Sequence, residues 1–439
     1  MSSETQTPAI DINRPDPYLD LKEQRPDLFE PIPQRIGVSL EYPGGFPNGI
    51  VDGWRDMESM KFNEVAENGE PLVNLAHLQP PIFTTGDYNA KLTNSMYEQP
   101  LDGSTVAQYV REGVGEKLVK AQSLLPRGYR LVMFDAWRSL ETQYATYEMC
   151  YDSLVEMLKK QGVIADGEEL TEEAKAIISR ETQKFISLPS PLPEAFNQDP
   201  REAERARQIP SPHNTGGSVD IGIAKVDDEY LDELTELEEI AAFGDDPYAV
   251  ERVVADFSIA RIYREHSRIL DFGTEFDFAS QKSALVYCED SDELGGEAKD
   301  NRRMLYNVMT QAGFEPYEEE WWHFNCDNQM ARMTESYRTG MGKPALYGNA
   351  ELSGDQKKHE LIHRQVFDLL VASAEDPSRP LDIPSDLLEY GVTEDRIRKF
   401  ASSFGHPQET NRFPQTWDMK YRGELSEEFI AAVKRSLVQ

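Results

Sequence analysis

The stretch SPHNTGGSVDIGIA, residues 211–224, contains a histidine, a pair of glycines and an aspartate, and its pattern predicts a turn followed by a strand. Its paired glycines can turn the chain, because glycine adopts backbone conformations that other residues avoid. After the turn, apolar and polar or small residues alternate, which is typical of a strand with one apolar face. The apolar positions are Val219, Ile221 and Ile223, and the others are Ser218, Asp220 and Gly222. The pattern predicts a strand with Asp220 on its polar face and His213 folded back toward it.

A second short segment, EWWH at residues 320–323, adds another histidine and another acid. The whole chain has only 7 histidines, so their positions are informative. A catalytic zinc site needs three nitrogen or oxygen ligands and an open position for water. His213, Asp220 and His323, called the metal triad below, supply three such ligands. Glu320 is then left free to act as a base.

The spacing within EWWH presents a geometric difficulty. Side chains three residues apart on an ideal strand point to opposite faces. Glu320 and His323 reach one site only if the strand ends, twists strongly or contains a bulge there. Taken alone, the segment also fits a different interpretation, with Trp321 and Trp322 in the core and His323 an ordinary strand histidine.

Together the motifs resemble a known family. The pattern S-x-H-x-x-G-x-x-x-D followed by E-W-W-H resembles the D-alanyl-D-alanine dipeptidases, zinc peptidases known from vancomycin resistance. Three further segments agree with the resemblance, and it covers roughly residues 72–330. They are GYRLVMFDAWR at 128–138, GTEFDF at 273–278, and the stretch from Asn301 through Phe314 that leads into Glu320.

The resemblance implies a role for each matching residue. The metal triad would bind one Zn²⁺ per chain, and Glu320 would be the general base and then the acid toward the leaving amine. Arg138 would stabilise the oxyanion, Asp277 would bind the free amino group of a dipeptide, and Ser211 would help to hold the substrate carboxylate. The implied function is zinc-dependent hydrolysis of D-alanyl-D-alanine or a related D,D-dipeptide, with a small dipeptide or amide as the partner molecule.

Several departures from the family pattern leave alternatives open. Ser218 stands where the family has alanine, Ser139 stands where it has proline, and the spans from Arg138 to Ser211 and from Asp220 to Asp277 are long. The metal and the reaction type therefore carry over better than the substrate. One alternative is a zinc hydrolase of another small peptide or amide metabolite. A second alternative is a non-catalytic, zinc-containing binding protein, which has no evident use for both a base and an arginine.

A rival metal motif lies further along the chain, HELIH at residues 359–363. On a helix, H-E-x-x-H places two imidazoles one turn apart with a glutamate between them, as in zincin metalloproteases. Such a site needs a third ligand, and Glu389 is only a weak candidate. The favoured interpretation is a polar helix edge, with Ile362, Val366 and Leu369 facing inward.

Composition limits the possible partners. With 45 basic and 79 acidic residues the net charge is −34, which disfavours nucleic acids and anionic membranes as partners. No run of about 18 apolar residues predicts a membrane span. The N-terminus lacks the pattern of a signal peptide, and an odd number of cysteines, 3, fits a reducing compartment. We therefore expect a cytoplasmic protein; the oligomeric state is left open.

The predicted fold is α+β, with a small, mostly antiparallel sheet that carries the metal site and helices against its other face. Residues 1–71 are predicted to be a proline-rich arm, and 72–344 a catalytic domain with insertions near 150–207 and 225–268. Residues 345–439 are predicted to be a helical extension. Periodicity predicts helices from about 103 to 125 and over 139–187, an acidic helix within 227–246, and strands over 129–135 and 314–324.

Overall fold

The computed structural model describes residues 16–33, 64–85, 101–165, 167–183, 186, 210–242, 249–278, 281–339, 342–404 and 425–437. The strands are β1 (Leu72–Asn74), β2 (Phe83–Thr84), β3 (Tyr109–Arg111), β4 (Tyr129–Asp135), β5 (Ser218–Val226), β6 (Ser267–Ile269), β7 (Glu315–Pro316) and β8 (His323–Asn325). The helices are α1 (Leu19–Gln24), α2 (Glu112–Leu124), α3 (Leu140–Lys160), α4 (Glu172–Thr182), α5 (Leu231–Ala242), α6 (Ala249–Glu265), α7 (Tyr287–Asp290), α8 (Gly295–Ala312), α9 (Gln329–Thr339), α10 (Gly354–Glu375), α11 (Ser385–Glu389), α12 (Glu394–Phe404) and α13 (Glu427–Leu437).

A six-stranded sheet forms the centre of the fold. Its strand order is β2-β4-β5-β8-β7, with β6 paired to one end of β5. Only β2 and β4 run parallel, and the other pairs are antiparallel. The apolar residues of β5, Val219, Ile221 and Ile223, are fully buried in the main core. The predicted α+β fold with a mostly antiparallel sheet is thus confirmed.

The helix predicted from about residue 103 begins later, at Glu112. Residues 109–111 instead form β3, which pairs antiparallel with β1 and places Val110 opposite Val73. The four-residue spacing from Val106 to Leu118 therefore spans a strand and a helix. Both β3 and α2 bury their apolar residues in the main core, so the spacing alone could not separate them.

The long helix predicted over 139–187 is two helices. The first helix, α3, ends at Lys160, and the second, α4, begins after Thr171, whose side chain accepts a hydrogen bond from the Ala174 amide. Gly162 and Gly167 between them have positive φ angles of 67° and 79°, which glycine tolerates and which interrupt a helix. The strand predicted over 314–324 is likewise two short strands, β7 and β8, joined by turns over 317–322.

The predicted helices of the C-terminal region are confirmed at 354–375, 394–404 and 427–437. They pack in two places. Helices α10 and α12 form a separate apolar cluster with α6, in which Val253, Phe257 and Val366 are buried. Helix α13 packs against α3 and α4 through Phe429 and Val433. The extension therefore packs against helices from both stretches that the sequence identifies as insertions.

The described part of the N-terminal arm lies along α8. Tyr18 and Leu28 are buried in the main core. The hydroxyl of Tyr18 donates a hydrogen bond to Asn301, and Lys22 forms an ion pair with Asp300 at 2.7 Å. Residues 1–15 and 34–63 of the predicted arm lie outside the described residues.

Candidate active site

The register of the central sheet brings three polar residues into one row. Asp135 at the end of β4 is paired with Asp220 on β5, and Asp220 is paired with His323 at the start of β8. A register shift between Met133 and Asp135 accompanies this end of β4. Neighbouring strands lie about 4.8 Å apart, so residues in one row of a sheet lie within reach of one ion.

His213 reaches the same place from a 3₁₀ turn over Pro212–Thr215, just before β5. The turn ends at Gly216, whose φ of 69° is in the left-handed region. A side chain on the next residue, Gly217, would come within 2.7 Å of the Cys326 carbonyl oxygen. The glycine pair is therefore required both by the turn and by the close approach of β8.

The metal triad is brought together as predicted. One ligand atom from each of His213, Asp220 and His323 lies within 4.8 Å of the other two, and all three residues are buried. Nε2 of His213 lies 3.4 Å from Oδ2 of Asp220, and Nδ1 of His323 lies 2.9 Å from Oδ1 of the same carboxylate. Asp220 is the centre of the group, with one imidazole against each of its oxygens.

Asp135 is a site residue to which the sequence assigned no role. Its Oδ2 lies 3.0 Å from Nδ1 of His213 and 2.5 Å from Nε of Arg138. Nδ1 of His213 also lies 2.7 Å from the carbonyl oxygen of Ala136. A histidine that uses one ring nitrogen in this way presents the other nitrogen as a ligand. In the sequence, the one indication of a role for Asp135 was an acid at the end of a largely apolar strand.

Glu320 lies in the turn immediately before β8, which resolves the difficulty over its spacing. Because the strand begins only at His323, the two side chains need not alternate between faces. Oε2 of Glu320 lies 3.7 Å from Nδ1 of His323. Burial, with added repulsion from Asp220 and Asp277, raises the pKa of Glu320 to about 8 despite the opposing effect of His323.

Arg138 is buried beside the triad, three residues after Asp135. Its Nη2 lies 3.6 Å from Oδ2 of Asp220, and its Nη1 donates a hydrogen bond to Oε1 of Gln143 on α3 at 3.2 Å. Its Nε is held by Asp135. A guanidinium fixed on three sides is a preorganised positive charge, which suits an anionic intermediate. Nothing in the sequence pointed to Gln143.

Asp277 carries a carboxylate close enough to the site to interact with Asp220, Arg138 and His213. Burial, reinforced by Asp220, raises its pKa to about 7. Its φ is 56°, and its Oδ2 is buried without a hydrogen-bond partner in the described part of the chain. A buried carboxylate oxygen without a donor is unfavourable unless a ligand supplies one.

Ser211 is buried immediately before the 3₁₀ turn that carries His213. Its carbonyl oxygen accepts a hydrogen bond from the Asn214 amide at 3.0 Å. It thus lies two residues from a triad histidine, as the motif requires. Its predicted contact with a substrate carboxylate stays a prediction.

The electrostatics of the triad are dominated by the central carboxylate. Burial by itself would lower the pKa of His213, but Asp220 and Asp135 outweigh it and raise the pKa to about 10. Burial opposes the charge on Asp220, yet the two imidazoles hold its pKa well below the usual range. Asp220 therefore keeps its negative charge although it is buried.

The donor set fits zinc. Two imidazoles and one carboxylate are ligands that zinc prefers, and three protein ligands leave the fourth tetrahedral position open. Bonds of about 2.0–2.1 Å in tetrahedral geometry separate neighbouring ligand atoms by about 3.4 Å. The 3.4 Å between Nε2 of His213 and Oδ2 of Asp220 matches this spacing. The 2.9 Å between Asp220 and His323 requires a small adjustment.

The H-E-x-x-H motif lies on α10 and forms no comparable cluster among the described residues. Glu360 accepts hydrogen bonds from the Val106 and Ala107 amides and from the Tyr109 hydroxyl. His363 is buried and faces Asp256 at 3.3 Å. The glutamate is therefore used to hold the residues before β3.

Comparisons with known proteins agree with this geometry. The family model described as D-ala-D-ala dipeptidase matches residues 245–339, which include Asp277, Glu320 and His323. A D-alanyl-D-alanine dipeptidase from Synechocystis sp. is 24% identical over 253 residues, which are 55% of this chain and 79% of the relative. Over these residues the chain is similar to metallopeptidases of this family. The predicted resemblance is thus confirmed, and with it the prediction of an enzyme.

The family match places two of the metal triad's neighbours, Asp277 and Glu320, in the matched segment, whereas Arg138, His213 and Asp220 precede it. The sheet register joins the two halves of the site, because Asp220 is paired with His323. Among the described helices none is both long and apolar enough to cross a membrane.

Proposed function

We propose that the chain is a zinc-dependent dipeptidase that hydrolyses D-alanyl-D-alanine or a related D,D-dipeptide, with one Zn²⁺ per chain. The observation that carries the proposal is the convergence of His213, Asp220 and His323, with Glu320 3.7 Å from the second histidine. Two imidazoles, one carboxylate and an adjacent free carboxylate are what metal-assisted amide hydrolysis requires.

His213, Asp220 and His323 would hold the ion, and Asp135 would fix the ring of His213. When bound, zinc supplies Lewis acidity that makes water a better nucleophile and polarises a carbonyl. The Glu320 carboxylate lies where it can accept the proton of the attacking water and then pass it to the leaving amine. Arg138 would stabilise the negative charge that develops on the carbonyl oxygen.

Asp277 is proposed to select for a free amino group. An ammonium group would supply the donor that its buried Oδ2 lacks. A substrate without a free amino terminus would leave the carboxylate buried and unpaired, which disfavours longer or blocked peptides. Ser211, beside the histidine turn, is proposed to help orient the substrate carboxylate.

Two alternatives stay within reach of experiment. A related hydrolase of another small peptide or amide metabolite would use the same residues with a different pocket wall. The long spans from Arg138 to Ser211 and from Asp220 to Asp277 keep this alternative open. A binding protein without catalysis would keep the metal but hydrolyse nothing.

The cysteines bear on the cellular compartment. All three cysteines are unpaired, which supports a reducing compartment, and we propose a cytoplasmic enzyme.

The direct test is a panel of dipeptides, D-alanyl-D-alanine included, assayed with chelator and with zinc added back. We expect hydrolysis that chelation abolishes and zinc restores. Glu320→Gln should keep its zinc and lose about 10²–10⁴-fold in kcat. His359→Ala is the matched control and should keep near wild-type turnover. Hydrolysis of amides other than D,D-dipeptides would select the first alternative, and zinc binding without any hydrolysis would select the second.

A further inference from the structure

A cavity of about 50 Å³ has walls that include none of the metal triad. Its walls come from β2, the residues before β3, the acidic helix α5, helix α6 and helix α10 of the extension. One water needs about 10–15 Å³ of cavity volume, so this cavity has room for roughly three to five waters. A molecule of about six non-hydrogen atoms needs similar space.

The cavity contains a buried acid, Glu238 on α5. Glu238 is only 5% exposed, and no hydrogen bond to it is found among the described residues. Burial raises the pKa of Glu238 to about 7, although the positive charge of the nearby Arg130 acts to lower it. Buried acids are normally paired or hydrogen-bonded, so a carboxyl group that faces a cavity without a donor points to a ligand that brings one.

The same cavity contains a guanidinium with an unused donor. Arg252 on α6 lines the wall, and its buried Nε has no hydrogen-bond partner in the described part of the chain. Asp256, one turn further along α6, adds a second carboxylate and faces His363 at 3.3 Å. The lining therefore offers both a site for a negative group and a site for a positive one.

We propose that this cavity is a binding site for a small amino-acid zwitterion, such as glycine or alanine. The ligand's carboxylate would bind Arg252, and its ammonium group would donate to Glu238. Ile82 and Ile259 provide an apolar wall for a small side chain. A simple anion would face two carboxylates here, and a metal cation would face a guanidinium, so a ligand carrying both charges fits best.

The extension supports this site through two residues of the H-E-x-x-H segment, Glu360 and His363. Val106 and Ala107 form part of the cavity wall, and Glu360 holds their amides at 2.5 Å and 3.1 Å. His363 forms another part of the wall from the next turn of the same helix. Glu360 and His363 of the motif therefore help to build the pocket, and the acidic helix α5 contributes Glu238 to it.

A hydrogen-bonded path leads from this pocket to the metal triad. Gln108 lines the cavity, and its Oε1 accepts a hydrogen bond from the Ala136 amide at 3.2 Å. The carbonyl oxygen of Ala136 in turn lies 2.7 Å from Nδ1 of His213. The site itself does not depend on the proposed dipeptidase function, although a dipeptidase would release ligands of this class.

Binding is tested first with the full-length Asp277→Asn protein, in which the proposed substrate amine site is disabled. Calorimetric titration with glycine and alanine should show saturable, one-to-one binding in the millimolar range. Propionate and ethylamine, which each carry only one of the two charges, should bind at least about tenfold more weakly. No saturable binding up to about 50 mM, or equal binding of propionate or ethylamine, would overturn the proposal.

Variants then locate the site. Glu238→Gln keeps the shape of the side chain and should weaken alanine binding about tenfold or more, as should Arg252→Gln. Glu239→Gln is the matched control, because Glu239 is the exposed neighbour of Glu238 on the same helix. If Glu238→Gln binds alanine as tightly as Glu239→Gln does, the cavity is not the site. Folding of each variant is checked by its thermal transition.

Discussion

Two regions of this chain carry a pair of histidines with a glutamate close by, and among the described residues only one of them brings its side chains together as a candidate metal site. In the first, His213 and His323 lie 110 positions apart in the sequence, yet the register of β4, β5 and β8 brings them to one carboxylate. In the second, His359 and His363 are one helical turn apart on α10, and their neighbour Glu360 is bonded to the backbone before β3. Local spacing is thus a weaker indicator of a metal site than convergence across a sheet.

The difference also concerns what each region does with buried charge. At the metal triad, three ligand atoms surround a small volume, and the charge of Asp220 is available to a cation. At α10, Glu360 accepts hydrogen bonds from two amides and from the Tyr109 hydroxyl, and His363 faces Asp256, so these groups hold the extension against the residues around β3 and α6. Changes in the first region should therefore affect metal and catalysis, and changes in the second should affect stability.

The largest expected effect is the loss of metal from triad variants. His213→Ala leaves two ligands, too few for a catalytic zinc site, so the purified protein should contain little zinc and show no measurable hydrolysis. His363→Ala should keep about one zinc per chain. Metal analysis of both purified variants makes the comparison. Zinc retained by His213→Ala and lost from His363→Ala would reverse the assignment of the two regions.

A smaller effect is expected from the residue that orients His213. Asp135→Asn keeps the size of the side chain but weakens its contacts with the His213 ring and with Arg138. Loss of such an outer partner typically costs 10–100-fold in metal affinity, and we expect a loss of about that size. Zinc affinity is measured by competition with a chromophoric chelator. An unchanged affinity would show that the Ala136 carbonyl alone holds the ring.

In the second region, Glu360→Ala should lower stability without affecting the metal. Two amides and the Tyr109 hydroxyl lose their acceptor, and each unsatisfied buried donor costs about 1–3 kcal/mol. We expect the free energy of unfolding to fall by about 2–4 kcal/mol. Chemical denaturation of the zinc-loaded protein measures it. A stable variant that has lost its zinc would instead support a zincin site.

The smallest effect is a change in the pH dependence of stability. Glu238 has a pKa of about 7 in the folded chain against an ordinary value of 4.5. Between these values the folded chain holds the proton and the unfolded chain releases it, so the free energy of unfolding falls as the pH rises. Glu238→Gln removes this loss and should be about 1–3 kcal/mol more stable than wild type above pH 7. Near pH 4.5 the two should be equal, and a constant difference across the range would contradict the assignment.

The sequence predicted more of the candidate site than of the fold around it. The alternation in β5 and the glycine turn fixed the positions of His213 and Asp220 relative to each other, and the family pattern supplied His323 and Glu320. The role of Asp135 was missed because it depends on which strand lies beside β5, and sequence spacing carries no information about strand order. The same holds for Glu238 and Gln108, which come to line one cavity only through tertiary packing.

The errors in secondary structure have one physical cause. Val110 follows the helical spacing of α2 but belongs to β3, and residues 317–322 carry strand-forming residues but form turns. In each case the spacing of apolar residues was misleading, because Val110 and Trp321 are both buried in the main core whatever element carries them. The turn before β8 is also what allows Glu320 and His323 to face one site.

The measurement that tests the central claim most directly is anomalous diffraction at the zinc edge from crystals of the zinc-loaded protein. The account predicts one peak per chain, about 2.0–2.2 Å from a nitrogen of His213, an oxygen of Asp220 and a nitrogen of His323. A peak beside His359 or His363, or a triad without a peak in protein that hydrolyses dipeptides, would contradict it.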